Sequence, residues 1–176
     1  ALAEVLRDER LVGSALALRA EGLLSSDVAG SSLAAERPEG VAVCTEYHLP
    51  LDGRRVDVLL FGHDREMRPR TIALELKQWS TCGVEDEIAT NVLVDGRERP
   101  HPSQQALDYA GWFNDYHSAF TAGDLLATSA AWCHNMTPPA GAPLRASAFR
   151  ELVTRSPLFL RGEEPRLVEH VIEHVG

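Results

Sequence analysis

RRVDVLLFG at residues 54–62 and TIALELKQ at residues 71–78 decide how this chain reads. Each is a short run rich in Val, Ile and Leu bounded by polar or turn-forming residues, the pattern of a β-strand. Side chains alternate along a strand, so Val56, Val58 and Leu60 share one face and Asp57 points to the other. On the second run Ile72, Leu74 and Leu76 form an apolar face, with Glu75 and Lys77 together on the opposite one. Neighbouring strands of this kind bring Asp57, Glu75 and Lys77 together.

Upstream, residues 41–49 (VAVCTEYHL) are a further strand candidate, and Asp52-Gly53 supplies the turn of a β-hairpin. From residue 1 to about 26, leucines and valines recur at helical spacing, and 26–40 reads as loop. Downstream, an irregular stretch to Pro102 holds a second turn signal at Asp95-Gly96. Residues 103–119 suit an amphipathic helix with Ser103 near its N-cap and Pro102 just before it. A strand at 124–133, a Pro/Gly-rich loop at 137–143, a short helix, a strand at 157–160 and a charged helix from about Glu163 complete the order. This succession predicts an α/β sandwich, a central mixed β-sheet flanked by helices.

The 176 residues, 44% hydrophobic and 24% charged, predict one domain spanning 1–176. No apolar run is long enough to cross a bilayer and no secretory-signal pattern is present, so a cytoplasmic setting is expected. Cys44, Cys82 and Cys133 are widely spaced and form no C-x-x-C pair, which indicates neither a disulfide framework nor a thiolate metal site. A net charge of -9 counts against a protein that coats nucleic acid, because backbone binding needs basic surface. Basic residues nevertheless gather in mid-chain, from Arg54 to Arg99. Of the 17 basic residues sixteen are arginine, and Lys77 is the sole lysine. Its compact ammonium differs chemically from the planar guanidinium fork.

Two carboxylates, Asp57 and Glu75, offer hard oxygen ligands to Mg²⁺ or Mn²⁺, and Lys77 beside them can orient water and stabilise growing negative charge. D and E-x-K are common on solvated strand surfaces. Here the flanking Val, Ile and Leu mark strands expected to be central, where uncompensated acids are costly. On the helix at 103–119, Gln105 and Tyr109 lie four residues apart and share a face.

Together GRRVD, ALELKQWS and HPSQQALDYA resemble the PD-(D/E)xK nuclease superfamily, in the branch with a Q-x-x-x-Y motif shared by RecB-like nucleases. The longer runs EYHLPLDGRRVDVLLFG, ELKQWS, HPSQQALDYAGWFNDYH and SPLFLRG are similar to the N-terminal nuclease-like domain of bacterial Schlafen group 3-like DNA/RNA helicases. The resemblance covers about 41–162. It implies a restriction-endonuclease-like sandwich that hydrolyses nucleic-acid phosphodiesters, DNA before RNA, with Mg²⁺ or Mn²⁺. It makes Asp57 and Glu75 metal ligands, the Leu76 carbonyl a third, Lys77 the catalytic lysine, and Gln105 and Tyr109 contacts near the scissile phosphate. A P-loop ATPase domain accompanies the nuclease-like domain in such proteins; these residues contain no G-x-x-x-x-G-K-[ST]. Relatives often add an acid on the first helix, for which Glu4, Glu9, Glu21 and, on the first strand, Glu46 are candidates. The rival expectation is a nuclease-like module that binds nucleic acid or a partner without cutting.

HVIEH at 170–174 spells the H-x-x-E-H of inverted zinc peptidases, with His170 and His174 on one helix face, but a solvated amphipathic helix is the preferred reading. His101 and His134 flank the site elements and can approach substrate, although loop histidines of this kind are more often structural. Trp79, Trp112 and Trp132 can stack on bases, and are expected mainly to fill the core.

Overall fold

β1 (Ala42–His48), β2 (Arg55–His63) and β3 (Pro69–Lys77) form an antiparallel meander whose strands are dense in β-branched and leucine side chains. The structure, a computed structural model, describes residues 41–49, 53–84, 90–121 and 125–176. The helix expected at 1–26, with Glu4, Glu9 and Glu21, and the loop at 26–40 lie outside the described residues. Beyond the meander, β6 (Leu126–Cys133) runs parallel to β3 and β7 (Leu158–Leu160) parallel to β6. The result is a five-stranded mixed sheet in the order β1-β2-β3-β6-β7, with β3 in the middle.

A parallel neighbour needs a crossover. Here it consists of the hairpin β4 (Asn91–Val94) and β5 (Arg97–Pro100), then helix α1 (Pro102–Tyr116) and the short α2 (Ser118–Thr121). Helices α3 (Arg150–Arg155) and α4 (Glu164–Val175) follow β6 and β7 respectively. α1 packs on one face of the sheet, where Tyr109, Ala110 and Phe113 meet Leu59, Ala73 and Ala127. α4 covers the other, laying Leu167, Val171 and Val175 on Val58, Leu60, Ile72 and Leu74. Each large aliphatic side chain so buried contributes roughly 1.5–3 kcal/mol. Trp132 lies in the α4-side core as expected, and Trp112 packs against the α1-side one. Among the described residues no helix is long and apolar enough to cross a membrane.

Three local expectations are corrected. Val56 does not share a face with Val58 and Leu60: it packs with Leu59 under α1, while the other two face α4. The alternation slips at Asp57, where the ladder between Thr45↔Val58 and Tyr47↔Val56 is interrupted with no extra residue in either strand and the facing Glu46 takes a left-handed φ of 57°. The stretch before Pro102 is not irregular throughout. Asp95 (φ 52°) and Gly96 (φ 70°) make consecutive left-handed turn residues that close β4 onto β5. Finally, the N-cap of α1 is His101 rather than Ser103, with Pro102 as its first residue.

Candidate active site

The C-terminal end of β3 and the facing part of β2 hold the charged group, roofed by the first two turns of α1. Along β2 and β3 the regular ladder runs as far as Val58↔Leu74. Beyond that pair, the Asp57 side chain takes over the role of the missing backbone partner: its Oδ2 accepts the Leu76 N–H at 2.9 Å. An extended residue directs its N–H and C=O to the same neighbouring strand, so the Leu76 carbonyl is also aimed to the Asp57 side.

Glu75 is only 2% exposed although it is an acid. Its Oε1 accepts from Lys77 Nζ at 2.5 Å, and its Oε2 is buried without a hydrogen-bond partner among the described residues. Burial pushes the Glu75 carboxyl up to about 7; the Lys77 ammonium opposes this and the nearby Asp57 charge reinforces it. Lys77 Nζ also donates to Gln105 Oε1 at 2.9 Å and stands 5.2 Å from the Trp79 ring centre. Gln105 turns its amide nitrogen to Tyr109 Oη at 2.8 Å. Tyr109 is buried, which raises its pKa; the Gln105 hydrogen bond opposes the rise, Glu75 and Asp57 add to it, and Arg54 opposes it. The Arg54 guanidinium lies 5.7 Å from the centre of that ring.

All six residues expected at the site are therefore assembled by one β2–β3–α1 corner, in the chain Asp57, Leu76, Glu75, Lys77, Gln105, Tyr109. Arg54 and Trp79 border it, and sequence reading had given neither a place there. Their signal was proximity to the motifs: Arg54 precedes Asp57 by three residues and Trp79 follows Lys77 by two.

Other candidates do not join. Glu46 is ion-paired with Arg55. His101 is fully buried and cannot reach substrate, and His134 stacks edge-on with Trp132. His170 and His174 ride on α4, across the sheet from Asp57. Their rings are 4.1 Å apart, His174 Nδ1 is bonded to the His170 carbonyl, and burial together with His174 pulls His170 down to about 4. Cys133 is buried and the other two cysteines are half-buried, all as free thiols.

A divalent cation fits this corner. Two carboxylates and a carbonyl are hard donors, and the buried Oε2 of Glu75 is an acceptor with no hydrogen-bond partner among the described residues. Among the described residues no third acid, histidine or cysteine completes a ready cluster around them. Neither a protein-family model, nor a curated protein, nor a solved structure matches this chain.

Proposed function

We propose that this domain is a Mg²⁺- or Mn²⁺-dependent deoxyribonuclease of the PD-(D/E)xK type on a restriction-endonuclease-like sandwich, working beside a P-loop ATPase in a longer polypeptide. One observation carries the reading: the only lysine of the chain is held between a buried, half-unsatisfied glutamate and the glutamine of a helix that closes over it.

When bound, a divalent cation supplies Lewis acidity to a phosphodiester and favours deprotonation of water. Asp57 and Glu75 would hold it, with the Leu76 carbonyl beside them. The Leu76 N–H fixes the Asp57 carboxylate in place. Gln105 keeps Lys77 Nζ at the mouth of the acidic pair, and Tyr109 keeps Gln105 from turning. Water adds to phosphorus as the bond to the leaving oxygen breaks, and Lys77 donates hydrogen bonds to the charge that grows on the phosphoryl oxygens. Arg54, exposed over Tyr109, is positioned for a neighbouring phosphate.

The test is cleavage of DNA with Mg²⁺ or Mn²⁺ by the wild type, Asp57→Ala and Lys77→Ala. Each variant is expected to lose at least about a hundredfold in rate. Equal rates in all three would remove the mechanism.

A second reading, binding without cutting, draws on the -9 charge and on the engagement of Lys77 by both Glu75 and Gln105. Calorimetric titration with Mg²⁺ separates the two, since a binding-only module has no need to hold the cation at Asp57 and Glu75.

A further inference from the structure

His101 spends every polar atom it has at the start of α1. Its backbone N–H donates to Thr90 O at 2.7 Å, which ties β5 back to the loop before β4. Its carbonyl accepts from the N–H groups of Gln104 and Gln105 at 2.9 and 3.0 Å, opening the helix. Its Nδ1 accepts the Ser103 N–H at 3.1 Å. Because Nδ1 is an acceptor, the ring proton is on Nε2, which donates to Leu144 O at 3.0 Å.

An N-cap alone does not call for imidazole. Serine, threonine, aspartate and asparagine fill that role with shorter side chains and are the preferred residues. Imidazole adds a second nitrogen on the far side of a rigid ring, and here that nitrogen reaches a different segment of the chain. Leu144 belongs to a 3-10 turn, Ala142–Arg145, that is itself anchored: Leu144 is fully buried, and Arg145 bonds Leu158 O and Glu163. Phe149 supports the imidazole face at a ring separation of 4.6 Å. The ring is a strut between a fixed turn and the first turn of α1. Burial lowers its pKa and keeps it in the neutral form that can both donate and accept.

We infer that His101 is a positioning residue for the candidate active site, setting the height of the first turn of α1 and hence of Gln105 against Lys77. Gln105 N–H is bonded to His101 O, and Gln105 Oε1 is the partner of Lys77 Nζ at 2.9 Å. A shift of about 1 Å at the helix start is enough to break that contact, since hydrogen bonds fail beyond about 3.5 Å. Lys77 is then left with Glu75 alone. The catalytic consequence rests on the nuclease reading; the positioning itself does not.

The experiment uses His101→Asn, which retains a capping oxygen for the Ser103 N–H and is too short to reach Leu144, beside His101→Ala, which lacks both. Two readouts are taken: the side-chain amide resonances of Gln105 by NMR, and kcat and KM for DNA cleavage. Expected for His101→Asn are a melting temperature close to wild type, displaced and faster-exchanging Gln105 amide protons, and a kcat at least about tenfold lower at unchanged KM. Val171→Ala, on the far face of the sheet, should lower stability without moving either readout. Unchanged Gln105 resonances in His101→Asn would overturn the proposal and leave His101 a simple cap. If that variant does not fold, Phe149→Leu, which removes the ring support and keeps both hydrogen-bonding groups, must move the Gln105 signals in the same direction, and unmoved signals overturn it equally. Displaced Gln105 signals in a domain that cleaves nothing would support the strut and sink the nuclease reading.

Discussion

Glu75 is buried to 2% exposure, satisfied at one oxygen by Lys77 and at the other by no hydrogen-bond partner among the described residues. Burial raises its pKa to about 7, well above the ordinary carboxylate value of 4.5. A raised folded-state pKa means that the fold binds the proton more tightly than the unfolded chain. Its contribution to stability is therefore present below about 4.5 and is lost as pH rises towards 7, on the order of 3 kcal/mol in the metal-free protein. His170 acts in the opposite sense, losing stability as pH falls from 6.5 towards about 4, so raw stability curves mix the two. Urea unfolding in chelator at pH 5 and pH 8, wild type against Glu75→Gln, isolates the glutamate: the variant should gain on the wild type as pH rises. A difference that is the same at both pH values would show that Glu75 does not titrate in this window. Lys77 makes a second residue-scale prediction. Lys77→Arg keeps the charge but sets a planar fork where a compact ammonium fits between Glu75 and Gln105, so cleavage should fall by about a hundredfold or more in a nuclease assay. The identities of both residues were legible from D and E-x-K spacing. The burial of Glu75 was not, because it depends on α1 closing over β3.

Two glycines separate two ways in which an element can depend on its neighbours. A Cβ at Gly62 would lie 1.9 Å from Val175 O, so the last turn of α4 rests directly on the β2 backbone. Gly62→Ala should destabilise by about 1–3 kcal/mol through forced displacement of α4. Gly96 has nothing within 4 Å of such a Cβ, yet its φ is +70°. Gly96→Ala should cost about 1 kcal/mol, from backbone strain alone, and leave the α4 packing intact. Denaturant titration of both variants checks the ranking, and a costlier Gly96→Ala would contradict it. The elements themselves were unevenly readable. β2, β3 and β6 announce themselves by length and by Val, Ile, Leu and Ala content. β5 does not: RERP is three exposed charged residues and an exposed proline, paired to NVLV only because Asp95 and Gly96 both accept left-handed φ. The true cap of α1 was equally hidden, since histidine becomes a good cap only when Leu144 receives its other nitrogen.

At the scale of the whole molecule, a bound divalent cation should couple to folding, because the ligands proposed for it, Asp57 and Glu75, stand on β2 and β3 and exist as a pair only in the folded sheet. Ligand at about a hundred times its Kd adds about 2.7 kcal/mol, several degrees in melting temperature for a domain of this size. Mg²⁺ or Mn²⁺ should thus raise the melting temperature of the wild type near pH 8 and leave Glu75→Gln and Asp57→Asn nearly unmoved. An equal rise in all three would mean that the cation binds elsewhere. By itself the sequence determined the strand and helix periods, the α/β layering they require, and the residue types able to form a cation site, since these follow from local alternation and side-chain chemistry. Only the tertiary structure decided that β3 is central and parallel to β6, that Asp57 turns to the Leu76 N–H where Glu46 takes a left-handed φ, and that Gln105 rather than solvent meets Lys77. The physical reason is distance along the chain: Lys77 and Gln105 are 28 residues apart, and no periodic rule sets the contact between them.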